Sequence, residues 1–265
     1  MPDREQDFSP VTKLFASAAK PFAWFNFAAD GAATKAGGTI TALTGTSSPD
    51  HATRAGWWTN DGAEYYTAGT YLEAALQAAF DLGQNALLLT AQVNVLTGVD
   101  TARDILLEVG TGAQNNWQWS VSRSSTASSG QICTHVAAIA HSGDSSQTTY
   151  SGGANAFTIN ADTNLALLID NRAAEKRIYQ YANGVQFGTA VFPSKGACNY
   201  ASASTGRLRI GASAAGSPTN IYLGALRRLG AWNFGTSLPT SINQIIHSMH
   251  QSNCIPTLPL LRAMQ

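Results

Sequence analysis

Apolar and polar positions alternate with a period of two along much of the chain, the pattern of strands that bury one face. The clearest stretch lies between Asn164 and Trp232. Residues 165–169 (LALLI) form a short apolar run, residues 171–176 a polar turn, and residues 177–181 (RIYQY) alternate. Asn183-Gly184 follows, a pair that tolerates the positive φ angles of a tight hairpin, and residues 185–187 return as its second strand. Upstream, the pattern predicts strands at 22–27, 40–43 and 87–95, a hairpin of 105–109 with 117–121, and strands at 133–140 and 156–159. The Ser-, Gly- and Thr-rich segment 142–155 reads as an exposed loop.

Two segments depart from that period. Leu72, Ala75, Leu76 and Ala79 recur at helical spacing and predict a short helix within residues 71–80. Ile242, Ile245, Ile246 and Met249 recur at steps of three and four behind Pro239, Thr240 and Ser241, which predicts an amphipathic helix with a proline near its start and a hydroxyl cap. Residues 1–20 lack strand periodicity, and residues 252–265 carry Pro256 and Pro259, so both ends read as arms around one domain at 21–251.

These elements, in this order, resemble the laminin-G-like, concanavalin A-like jelly roll. In that family a strand ending in Asp leads to a hairpin with an NG tip and then to an RIG strand. Here those elements are Asp170, Asn183-Gly184 and Arg209-Ile210-Gly211. The resemblance spans about residues 22–250 and implies an all-β fold: a two-sheet antiparallel jelly-roll sandwich with a short C-terminal helix and extended terminal arms. It also implies use in adhesion and in carbohydrate or protein binding, although fold alone does not fix function.

The composition narrows the classes of function. Only 12% of the 265 residues are charged and the formal net charge is zero, so the clustered Lys and Arg that neutralise phosphates are missing and nucleic acid is not an expected partner. So neutral a surface offers little self-repulsion and favours association. Residues 1–10 are polar and charged, unlike a secretory leader, and no apolar run approaches the roughly 18 residues of a membrane span. Cys133, Cys198 and Cys254 lack CxxC spacing and fit three reduced thiols. Some laminin-G-like modules carry a late disulfide, which by resemblance would pair Cys198 with Cys254.

Glycoside hydrolysis needs two carboxyl groups roughly 5–10 Å apart. The nearest match is Asp100, Asp104 and Glu108, spaced by four, and these read as solvated carboxylates at the sandwich rim. No Gly-x-Ser-x-Gly is present, the glycine pairs 37–38 and 152–153 lack the Lys of a phosphate loop, and His247 with His250 lacks a further metal ligand. No catalytic residue, cofactor or metal is assigned. By resemblance, a rim calcium could draw on Asp81, Asp100, Asp144, Asp162 or Asp170. Asn115, Asn116, Trp117 and Trp119 offer the amides and rings that bind a sugar, against the alternative that two Trp on one face fill a core.

The resulting expectation is a non-enzymatic structural or adhesion protein of a tailed bacteriophage particle, made in the host cytoplasm. It would serve as a tail or fibre module on host surface glycans or as a capsid decoration, held by its arms to other virion proteins and to copies of itself. A glycan-processing enzyme and a secreted carbohydrate-binding adhesion module on the same fold are the alternatives.

Overall fold

The computed structural model describes residues 23–26, 44–45, 58–59, 62–65, 72–75, 80, 85–95, 104–110, 115–123, 132–139, 148–151, 157–158, 161–172, 177–191, 207–211, 224–244, 246–247 and 250. The strands are β1 (Ala23–Asn26), β2 (Thr44–Gly45), β3 (Trp58–Thr59), β4 (Gly62–Tyr65), β5 (Leu72–Ala75), β6 (Ala86–Val95), β7 (Asp104–Gly110), β8 (Asn115–Arg123), β9 (Ile132–Ile139), β10 (Thr148–Ser151), β11 (Phe157–Thr158), β12 (Asp162–Asp170), β13 (Arg177–Ala182), β14 (Val185–Val191), β15 (Arg207–Ile210) and β16 (Gly224–Asn233). A final helix, α1, is recorded at residues 242–244, 246–247 and 250.

The strands form two antiparallel sheets. The first runs β14-β13-β12-β6-β16-β4-β3 with β1 also on β16, and the second runs β10-β9-β8-β7-β15-β5-β2 with β11 also on β9. They pack face to face as a jelly-roll sandwich. His135 of the second sheet bonds the carbonyl of Tyr181 in the first, and its ring meets Phe187 of β14 edge-on at 5.0 Å.

β6 opens on an apolar run, residues 86–89, where both of its faces are covered, and alternates apolar and polar from Thr90 on. Leu87, Leu89 and Ala91 share the inner face with Leu165, Leu167, Ile169, Leu229 and Ala231. Leu88, on the outer face, joins Ala166, Leu168, Tyr181 and Trp232 under Ile242 and Ile246 of α1. The helix period seen in the sequence is thus a lid on the first sheet, and each isoleucine it buries contributes about 1.5–3 kcal/mol. Tyr181 donates its hydroxyl to Asn243 Oδ1, and burial raises its pKa.

The predicted hairpin forms as expected. Asn183 (φ 50°) and Gly184 (φ 77°) both adopt positive φ, and Gly211 of the RIG strand does so at 89°. Residues 72–75 are a strand where helical spacing predicts a helix. Antiparallel pairing of β5 with β15 and β2 supplies the backbone partners that override so short a local preference. Within the predicted loop at 142–155, Thr148–Ser151 pairs with β9. Residues 40–43, both terminal arms, Cys198 and Cys254 lie outside the described residues.

Candidate functional site

Trp117 and Trp119, expected as alternatives between sugar platform and core, both lie in the core. Each is fully buried on the inner face of β8. Trp117 donates its indole N–H to the Phe80 carbonyl at 3.2 Å, and Trp119 donates to His135 Nδ1 at 2.9 Å. A ring closed in on both faces offers no surface to a sugar, so the sugar-platform assignment is corrected for both. Asn115 and Asn116 start β8 beside Gly110. Val109 pairs with Trp117 and Gly110 with Asn115, which leaves Asn116 as an extra, bulged residue; the side chains of the two asparagines lie outside the described set.

Of the acidic residues spaced by four, Asp104 and Glu108 do not share a face of β7. A bulge between Ile105 and Leu107 sets Asp104 opposite Val121, on the face that carries Trp119, and Glu108 opposite Gln118, on the other face. Glu108 is also fully buried rather than solvated. It accepts from Gln118 Nε2 at 3.2 Å, and Arg209, likewise buried, is its register partner on β15. A carboxylate opposite a guanidinium balances charge where water is excluded. Asp100 lies outside the described residues.

Of the aspartates considered for calcium, Asp162 accepts from Arg227 at 3.0 Å and from Asn94 at 3.0 Å. Asp170 is held by Arg172 through both carboxylate oxygens, a bond that lowers its pKa. Among the described residues no three His, Cys, Asp or Glu side chains gather as a metal site. Asp81, Asp100 and Asp144 lie outside them.

A different place gathers polar groups. On the outer face of the first sheet, beside α1, lies a small, shallow cleft that opens to solvent. Its floor is Thr90 and Gln92 of β6 with Asn164 and Ala166 of β12; Arg228 of β16 stands on one side, and Ile246 and His250 of α1 on another. Asn164 anchors the wall. Its side-chain amide lies 3.1 Å from His250 Nδ1, and its backbone N–H donates to Asn183 Oδ1 at 3.0 Å. Burial, and secondarily the neighbouring His247, lowers the His250 pKa. Among the described residues the lining holds no carboxylate and no six-membered or indole ring.

Arg228 reaches this face through a defect in β16. Leu226 pairs with Val93 and Arg228 with Gln92, so Arg227 is an extra residue in the strand. Strict alternation from the inward Leu226 would turn Arg228 into the core; the bulge carries it outward and returns Leu229 inward. The one sequence signal was an Arg doublet between two leucines three apart. Thr90, Gln92 and Asn164 carried none beyond alternation.

Gly184 closes the cleft at the hairpin. A Cβ there would stand 3.1 Å from His247 Nδ1 and from His250 Cβ, at a φ of 77°. Gly184→Ala is therefore expected to cost about 1–2 kcal/mol from backbone conformation alone, with some further loss from displacing α1. Urea titration at constant m-value measures it, and an unchanged midpoint would contradict this packing of helix on hairpin.

No family model matches the sequence, and no curated protein matches it either. Among solved structures the chain is similar to the CBM40 of the Ruminococcus gnavus IT-sialidase, bound to α2,3-sialyllactose, at 13% identity over 62% of this chain and 80% of that one, with a TM-score of 0.42. It is also similar to a heptameric SAP-like pentraxin from Limulus polyphemus, at 15% identity, 77% and 78% coverage and a TM-score of 0.45. A third is the binding domain of botulinum neurotoxin serotype D, at 8% identity, 71% and 41% coverage and a TM-score of 0.45. These likenesses concern the path of the strands and transfer no residue role.

Proposed function

We propose that the chain is a non-catalytic jelly-roll binding module that receives a glycan in the outer-face cleft. The observation that carries this is the chemistry of the lining: a hydroxyl from Thr90, amides from Gln92 and Asn164 and a guanidinium from Arg228, with no carboxylate among the described residues. Amides and hydroxyls exchange hydrogen bonds with sugar hydroxyls, whereas glycosidic hydrolysis needs a pair of carboxyl groups. The separation of Asp104 from Glu108 points the same way. A glycan array with the wild-type chain and Gln92→Leu tests it. The expected result is saccharide binding that falls by about tenfold, ~1.4 kcal/mol, in the variant at an unchanged melting temperature. Absence of binding to every saccharide would overturn the reading.

The same proposal places the module on a bacteriophage particle, among other virion proteins and copies of itself, with host surface glycans as the target. Support comes from the zero net charge and the low charged content, which suit a chain packed in an assembly. Immunolabelling of purified particles is expected to mark the tail, the fibre or the capsid surface, and unlabelled particles would contradict this placement.

A further inference from the structure

We propose that Asn183 is a site of self-modification: its side-chain amide is converted to aspartate and isoaspartate through a cyclic imide closed by the Gly184 nitrogen, with the His247 imidazole as proton acceptor. The site is the hairpin tip, and it stands apart from the glycan reading of the cleft.

Asn183-Gly184 is the one Asn-Gly pair in the chain. A glycine after an asparagine has no Cβ to shield its nitrogen and turns freely toward the ring geometry. Here the pair makes up the whole of a two-residue turn. Ala182 and Val185 are the last partners of the ladder, so the Gly184 N–H stands outside it. Asn183 itself is exposed to water.

Two neighbours prepare the amide for attack. Asn183 donates its backbone N–H to the Asn164 carbonyl at 2.7 Å, and the Asn164 N–H returns a bond to Asn183 Oδ1 at 3.0 Å. A backbone N–H only donates, so the amide oxygen faces Asn164 and the leaving nitrogen faces away from it. Attack at Cγ places negative charge on that oxygen, where a donor already stands at hydrogen-bond distance. At Gly184, His247 Nδ1 lies 3.1 Å from the point a Cβ would occupy, within reach of the Gly184 N–H directly or through one water.

The conversion needs water and no oxidant or reductant. The bond from the Gly184 nitrogen to Asn183 Cγ forms, the Cγ–Nδ2 bond breaks, and the proton taken up by His247 leaves with Nδ2 as ammonia. Water then opens the imide at either carbonyl. Addition at Cγ gives aspartate in an unaltered backbone. Addition at the backbone carbonyl leads the chain through Cβ and adds one atom to a turn of two residues. That longer turn is expected to lose the paired positive φ angles of 50° and 77° and the close fit of Gly184 under His247 and His250.

Incubation of the folded full chain at neutral pH, followed by mass mapping of tryptic peptide 178–195 and enzymatic methylation of isoaspartate, tests the assignment. Asn183 is expected to convert before any other asparagine, and Asn183→Gln to leave the peptide unchanged. His247→Gln, at an exposed position, is expected to keep the melting temperature and to slow conversion about tenfold, a barrier higher by ~1.4 kcal/mol. Free imidazole in the buffer should restore the rate of that variant. An unconverted Asn183, or earlier conversion at another asparagine, would overturn the site. A wild-type rate in His247→Gln, or a slowed rate that imidazole does not restore, would overturn the proton transfer to His247 and the proposal with it.

Discussion

Acidification from neutrality to about pH 4 is expected to remove about 3 kcal/mol of folding stability through His135 alone. The imidazole is fully buried between the sheets. Its Nδ1 accepts from the Trp119 indole, which fixes the hydrogen on Nε2, and Nε2 then donates to the Tyr181 carbonyl at 3.1 Å. A second proton would have to enter at Nδ1, against an indole N–H that cannot accept. Burial lowers the pKa from 6.5 to about 3, only partly countered by the bond to Tyr181.

The sign follows from the two pKa values. Above 6.5 the ring is neutral in both states and its contribution to stability is complete. As the pH falls below that value the unfolded chain takes up a proton that the folded chain refuses, and stability drops by ~1.4 kcal/mol per pH unit until the folded pKa is reached. Asp170, held low by Arg172, adds a loss of the same sign at lower pH, below its ordinary value of 3.8. Urea unfolding at a series of pH values measures the slope. His135→Gln, with an amide oxygen to accept from Trp119 and no titration, is expected to flatten the limb between about pH 6 and pH 4. An equally steep limb in that variant would remove His135 as the cause.

His135 also marks the limit of what the sequence made legible. Segments whose local chemistry and tertiary setting agree were readable: Asn183-Gly184 as a turn, residues 165–169 and 177–181 as adjacent strands, and Ile242 with Ile246 as the apolar face of a helix. Leu72, Ala75, Leu76 and Ala79 carried a helical period, and at residues 72–75 strand pairing with β15 overrode it. The site was hidden for a different reason. Register decides which face each residue takes, and a one-residue bulge reverses every later assignment. Bulges separate Asp104 from Glu108 and deliver Arg228 to the cleft, and neither leaves more than a spacing irregularity in the chain. The cleft itself draws on β6, β12, β16 and α1, elements up to 160 residues apart (Thr90 to His250), and so exists only after folding.

The same face assignment makes Trp117→Ala a structural lesion, with an expected cost of about 3–5 kcal/mol. The indole is fully buried, its ring lies 6.2 Å from that of Phe80, and its N–H serves the Phe80 carbonyl across 37 residues of chain. Truncation removes the largest class of core side chain, opens a cavity that the rigid sheet cannot fill, and takes away the donor at that carbonyl. Trp117→Phe separates these effects: it keeps most of the ring and loses the N–H, so roughly 1–3 kcal/mol is expected, set by the carbonyl left behind. Chemical denaturation of both variants gives the two numbers. Saccharide binding, measured on the folded fraction, should be unchanged in each, because the cleft lies on the outer face of the opposite sheet. A Trp117→Ala chain with wild-type stability and abolished sugar binding would move the site to β8 and refute the cleft.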